Sequence, residues 1–313
     1  MPPKKIVFFA FISAFFNDGC VVLADFAALP VGSNDWECGF NTEQQLHAFI
    51  GLCQPQYLAI YGQRLFISLE LRTGASTLVW LPISTEHKSS PPPKLVPFQP
   101  KNSIDMGECN TISSPRGLEV DPLGRIWVLD NGNKDCPAKL WICNLANSDE
   151  TIKVHQFPDT VFSSNKKELG EVVLDKTQDN WFAYITNKDS KHLILFDLNM
   201  NNFWTVQFPW KKVGVLAINP KNEQLYLSQH DSQELYAIPV VDLRDGSQNK
   251  NWKRIGSWPD NSCTKMQFDS AGVLYAAFLP KSRQGFVEYA IADDVIVGSD
   301  LKQKCFFKLL SVF

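Results

Sequence analysis

Apolar and polar positions alternate with period two along most of the chain, in short bursts broken by Gly, Asn and Asp. "SPRGLEVDPLGRIWVLDNGN", residues 114–133, shows the unit: an apolar run, a polar turn, an aromatic-bearing run, and a second turn rich in Asn and Gly. Bursts of about four to eight residues bounded by turn formers predict half-buried antiparallel strands, not helices. In this stretch "KLWICNL" supplies a third strand and "TIKVHQF" a fourth.

The unit recurs. "YLAIYGQRLFISLELRTGASTLVWLPI" begins at Tyr57 and "EVVLDKTQDNWFAYITNKDSKHLILFDL" at Glu171. "VGVLAINPKNEQLYLSQHDSQELYAIPVVDL" begins at Val213 and "TKMQFDSAGVLYAAFLPKSRQGFVEYAI" at Thr264. Each reads as short apolar strand, polar turn, aromatic-rich strand, second turn, third strand. Starts fall at intervals of roughly 45 to 60 residues, the spacing of four-stranded propeller blades. One meander cannot bury both its faces, whereas stacked blades cover each other and leave only short edges. A β-sandwich also shows regular short strands. The recurrence favours an all-β propeller of four-stranded blades, with five units visible.

Composition fits an ordinary globular core: 313 residues, 44% hydrophobic, 20% charged, net charge −3. That balance gives no sign of a nucleic-acid partner or of a polybasic membrane surface. Lys4 and Lys5, the apolar run Ile6–Phe16 and "VLA" ending at Ala24 read as a signal peptide over residues 1–24. Asn17, Asp18 and Gly19 interrupt the run before it reaches the length of a membrane span. The expectation is a secreted, extracellular chain whose residues 25–313 form one propeller domain. Of 8 Cys, Cys20 lies in the leader, which leaves an odd number for disulfides in an oxidising compartment. Cys109, Cys136, Cys143 and Cys263 are the candidates. There is no CxxC pair to suggest zinc.

"GRIWVLDNG" (Gly124–Gly132) with "CPAKLWICNL" and "HQFPDTVF", "WFAYITN", "LILFDLNMNNFWTV", "ELYAIPVVDLRD" and the Pro-rich "LVPFQP" resembles the yellow/major royal jelly protein family. The likeness runs from Tyr57 to Phe286 and rests on the order and spacing of several motifs. It implies a secreted six-bladed propeller. Members act in insect cuticle pigmentation and melanin chemistry, some as dopachrome-converting enzymes; others bind serotonin and catecholamines in saliva, and others are nutritive. The chain departs from the family pattern in several places. Leu123 stands where the family has a Cys, which removes the expected partner of Cys109. Further family Cys are missing near Asn180 and near Glu288–Tyr289, and Cys143 replaces an aromatic residue and offers an alternative partner. Lys211 and Lys212 stand in place of an acidic pair, and the last blade is missing or incomplete after "VEYAI".

No GxSxG, HExxH or Walker A signature is present, so no catalytic residue is assigned. The five His are scattered and read as structural. No carboxylate cluster argues for a metal, and no cofactor is expected. Propellers bind ligands at the channel mouth, where loops after the inner strands converge. Candidate ligand contacts are therefore Glu70 and Arg72 after "LFISL", Asp130 and Asn131 after "RIWVL", Asn187 after "AYIT", and Trp210. Trp210 would stack on an aromatic amine or hold its ammonium, and Glu70 would pair with that ammonium. Against this, Asp130–Asn131–Gly132 is also a plain turn signal, Trp210 a packing residue, and Arg72 a local partner for Glu70. Three functions follow: a binding protein for small aromatic amines or catechols, a structural or nutritive protein, and a dopachrome-type isomerase. Binding ranks first.

Overall fold

The computed structural model describes residues 53–71, 76–82, 95–101, 107–162, 167–188, 190–208, 214–229, 232–246, 250, 252–258, 263–278, 286–292 and 295–298. The leader, Cys20, Cys38, Cys305, Arg72, Trp210, Lys211, Lys212 and the expected loss of a last blade lie outside these residues.

The chain is all-β, and its sheets are propeller blades. Among the described residues, five four-stranded antiparallel meanders follow one another in sequence order. The first has strands β1 (Cys53–Tyr61), β2 (Arg64–Leu71), β3 (Ser76–Pro82) and β4 (Val96–Pro97). The second has β5 (Pro115–Val120), β6 (Arg125–Asp130), β7 (Lys139–Asn144) and β8 (Glu150–Gln156). The third has β9 (Leu169–Lys176), β10 (Trp181–Asn187), β11 (His192–Asp197) and β12 (Asn202–Gln207). The fourth has β13 (Val215–Asn219), β14 (Gln224–Ser228), β15 (Glu234–Pro239) and β16 (Lys253–Ser257), with a short helix α1 (Val240–Arg244) before its last strand. The fifth has β17 (Cys263–Phe268), β18 (Leu274–Phe278), β19 (Phe286–Ala292) and β20 (Val295–Gly298).

The chain divides into two compact units, one holding β1–β8 and the other, from Pro158 to Gln303, holding β9–β20. Within each unit consecutive blades stack face to face. In the first unit, Ala59, Phe66, Leu78 and Phe98 of one blade pack on Leu118, Ile126, Val128, Trp141 and Cys143 of the next. In the second unit, Phe182, Tyr184, Leu193, Leu195 and Val206 meet Leu216, Leu225, Leu227 and Ile238. The other face of that fourth blade, with Val215, Ala217, Tyr226 and Leu235, covers Met266, Phe268, Leu274 and Ala276. Neighbouring residues of one strand serve opposite interfaces, as period-two alternation requires.

In the second, fourth and fifth blades the turn after the first strand explains the repeated Asp/Asn signal. Asp121 Oδ1 accepts the N–H groups of Leu123 and Arg125, and its Oδ2 takes Arg125 Nε and the indole N–H of Trp127 at 2.9 Å. Asp269 accepts Val273 N–H at 2.8 Å in the fifth blade, and Asn219 accepts Lys221 N–H at 2.9 Å in the fourth. The side chain replaces the backbone partners that a tight turn leaves open. Gly124 and Gly272 complete two of these turns at φ 75° and 80°.

A polar network lies between the third and fourth blades. Tyr184 OH donates to Asp175 Oδ2 at 2.9 Å, and Arg244 from α1 binds the same oxygen. Burial, reinforced by the Asp175 charge, pushes the Tyr184 hydroxyl well above its ordinary range.

Candidate functional site

Register places Glu70, Asp130 and Asn187 each at one end of its own blade. Pro115 pairs with Asp130, Asp130 with Lys139 and Lys139 with Gln156, so the start of an inner strand and the end of the second strand form one row. Asn187 pairs with Leu169 in the same way. Loops at this end face the channel mouth in a propeller.

In the first unit, Asp130 is fully buried and committed to its own chain. Oδ1 accepts Ser114 N–H at 2.7 Å and Gly132 N–H at 2.8 Å, and Oδ2 accepts Ser113 N–H at 3.2 Å and Trp141 Nε1–H at 3.3 Å. Lys139 Nζ stands 3.6 Å from Oδ2 and donates to the carbonyls of Cys109 at 2.8 Å and Thr111 at 3.3 Å. Its ammonium also lies 5.3 Å from the centre of the Trp141 ring. A buried carboxylate needs such a set of donors and a cation, and here the chain supplies all of them. Asn131 is buried beside it, with its N–H on Ser114 O. Gly132 turns the chain at φ 67°, where a Cβ would fall 2.4 Å from the Cys136 and Pro137 carbonyl oxygens.

Glu70, at the end of β2, pairs with Arg116 at 3.1 Å, near the start of β5. Arg72, the local partner that the sequence offered, lies outside the described residues; among those described, the partner of Glu70 comes from the next blade.

Cys109 is bonded to Cys136, which ties the loop before β5 to the loop after β6. Cys143 and Cys263 are buried and stand outside any disulfide. The expectation that Cys109 lacks a partner is thereby corrected. Leu123, at the position where the family Cys was sought, is an exposed turn tip at the other end of the blade. Burial pushes the Cys143 thiol up to about 12, which keeps it protonated and unreactive.

In the second unit, Asn187 is 1% exposed, and its side-chain oxygen Oδ1 meets no donor among the described residues. Next to it the β9–β10 pairing shifts register between Ile185 and Asn187. Thr186 Oγ1 accepts Glu171 N–H at 2.7 Å within this irregularity. Gly170 leaves room for that hydroxyl, since a Cβ there would sit 2.4 Å from Oγ1. The bulge presents Glu171 to the neighbouring blades. Oε2 accepts Leu216 N–H at 2.9 Å, and Oε1 pairs with Lys265 Nζ from β17. Ser228, at the end of β14, accepts the indole N–H of Trp258 at 3.0 Å.

Arg116, Glu171 and Lys265 were missed in the sequence, although each is a charge near the start of its blade's first strand. His192 has the structural part expected of it, between Ser190 Oγ at 2.8 Å and Val161 O at 2.9 Å. Among the described residues no group of three His, Cys, Asp or Glu is placed to hold a metal.

A family model described as major royal jelly protein matches residues 113–285, more than half of the chain. The chain belongs to the major royal jelly protein family. Protein yellow of Drosophila subobscura is 25% identical over 230 residues, covering 61% of this chain and 40% of that protein. Protein yellow of Drosophila melanogaster is 24% identical over 230 residues, covering 61% and 42%. The chain thus spans about two-fifths of the length of these relatives. Similar solved structures include the Dos1 propeller, with TM-score 0.48, 9% identity and coverage of 75% and 54%. Virginiamycin B lyase from Staphylococcus aureus gives TM-score 0.47, 9% identity and coverage of 76% and 70%.

Proposed function

We propose that this yellow-type propeller is an extracellular binding protein for small aromatic amines or catechols, serving cuticle or pigment chemistry without turning its ligand over. The carrying observation is Asn187. Glu70 and Asp130 are taken up by the chain's own donors, whereas Asn187 Oδ1 is a buried acceptor with no donor among the described residues. Such an acceptor calls for a hydroxyl or ammonium hydrogen. A phenolic hydroxyl or a primary amine meets that requirement, and it does so at the blade end where propellers take ligands.

Binding without turnover accords with the state of the acids. Glu171 and Glu70 are each occupied by a cation of the chain, Lys265 and Arg116, rather than standing open to a reacting group. The Cys109–Cys136 disulfide supports an oxidising compartment, in line with an extracellular location. A structural role is the second reading, favoured by Asp130, whose four protein hydrogen bonds leave it a scaffold residue.

Calorimetric titration of the folded chain with serotonin, dopamine and dopachrome-type quinones tests the proposal. Micromolar binding without loss of dopachrome colour is expected, with at least about tenfold weakening in Asn187→Leu at unchanged thermal stability. Silence toward every ligand overturns the binding reading in favour of the structural one.

A further inference from the structure

The first blade has an apolar face that looks away from the second. Leu58 pairs with Ile67, Ile67 with Val79 and Leu65 with Leu81, so these side chains share one face of β1–β3 with Leu69. Their strand neighbours Ala59, Phe66 and Leu78 point the other way, into the seam with the second blade. Leu65 and Val79 are fully buried, and Ile67, Leu69 and Leu81 are no more than 2% exposed.

A single sheet cannot close its own face, so side chains this deeply buried need another layer on top of them. Among the described residues of this unit, the second blade, Phe98 and Ile112 all serve the seam on the opposite face. The burial is that of one chain by itself, so the layer comes from this chain and not from a second copy. The unit that holds β1–β8 also takes in Lys304–Phe313, although β9–β20 intervene in the sequence. Sequence continuity cannot account for that membership, because the segment follows the other unit. Its residues, "KCFFKLLSVF", are mostly apolar, with Lys304 and Lys308 as the charged side chains. Left in water, such a run would invite association with other molecules. Ten extended residues reach about 33 Å, and the stretch of β2 from Leu65 to Leu69 spans only about 13 Å.

We infer that Lys304–Phe313 docks on the β1–β3 face and seals it. Phe306, Phe307, Leu309, Leu310, Val312 and Phe313 supply the cover, and Leu65, Ile67, Leu69, Val79 and Leu81 receive it. The last ten residues thereby act as a working part of the first blade, and their loss opens an adhesive aliphatic surface.

The test uses the full chain with the photoreactive residue p-benzoylphenylalanine in place of Phe306 or, separately, Phe307. These adjacent positions point to opposite sides of an extended segment, so one of them meets the sheet. Irradiation and peptide mapping should give links within one molecule to peptides of β1–β3. Links confined to other parts of the chain, links only between two molecules, or no link from either position overturn the inference. As a second measurement, Leu309→Asp with Leu310→Asp should raise amide exchange in β1–β3 at least about tenfold while β9–β16 keep their wild-type rates. Unchanged exchange in β1–β3 overturns the inference, and the photoreactive chains decide where the doubly substituted chain does not fold.

Discussion

Lys139 Nζ lies 3.6 Å from Asp130 Oδ2, and both side chains are shut off from solvent. The ammonium also holds the carbonyls of Cys109 and Thr111, so this pair locks the loop before β5 onto the loop after β6. Breaking a buried pair from one side strands the other charge. Lys139→Met should therefore cost about 3–5 kcal/mol in denaturant unfolding. A loss below about 1 kcal/mol would show that water reaches Asp130 and that the lock is weak.

The Cys109–Cys136 bridge closes the same two loops covalently, across a sequence separation of 27. Chain-entropy reasoning gives about 3–4 kcal/mol for a loop of that length. Replacing both residues by Ser should lower unfolding stability by about 2–4 kcal/mol. Peptide mapping without reductant should recover the 109–136 link, and a map joining Cys109 to Cys143 would refute the assignment.

Cys143 offers a test with pH. Its thiol is raised from 9.0 to about 12 in the folded chain, chiefly by burial. Below pH 9 it is protonated both folded and unfolded, and its contribution is fully present. Between 9 and about 12 only the unfolded chain ionises, so that contribution is lost as pH rises. Unfolding stability should fall over this window more steeply in wild type than in Cys143→Ala. At neutral pH the native thiol should resist iodoacetamide and react once the chain is unfolded.

Gly170→Ala sets a Cβ 2.4 Å from Thr186 Oγ1. Relief requires the Thr186 hydroxyl to leave Glu171 N–H, and the expected cost is about 1–3 kcal/mol. Adding Thr186→Ala removes the clash and should recover part of that loss. Full additivity of the two changes in a double-mutant cycle would show that the contact is unimportant.

The blades were legible because their instructions are local. Asp121, Asn219 and Asp269 each bond to residues two to six positions ahead, and the strands between them alternate with period two. The site was less so, because its partners are distant in the chain. Arg116 is 46 residues from Glu70, and Lys265 is 94 from Glu171; no window of sequence contains either pair. Asp130 shows the opposite difficulty. The same three letters that mark a binding loop also mark a turn, and only its buried donors reveal that the turn has claimed it. For Cys109, family spacing pointed toward position 123, while the pairing of Ser114 with Asn131 brings Cys136 near instead.

Each cluster that seals a pair of blades takes roughly half its side chains from either sheet. An isolated blade would thus present two greasy walls to water and own neither cluster outright. Cohesion in this chain is a property of adjacency, handed from sheet to sheet. The smallest fragment able to stand alone should accordingly be a doublet, and a cut placed between two blades should harm both sides of the cut.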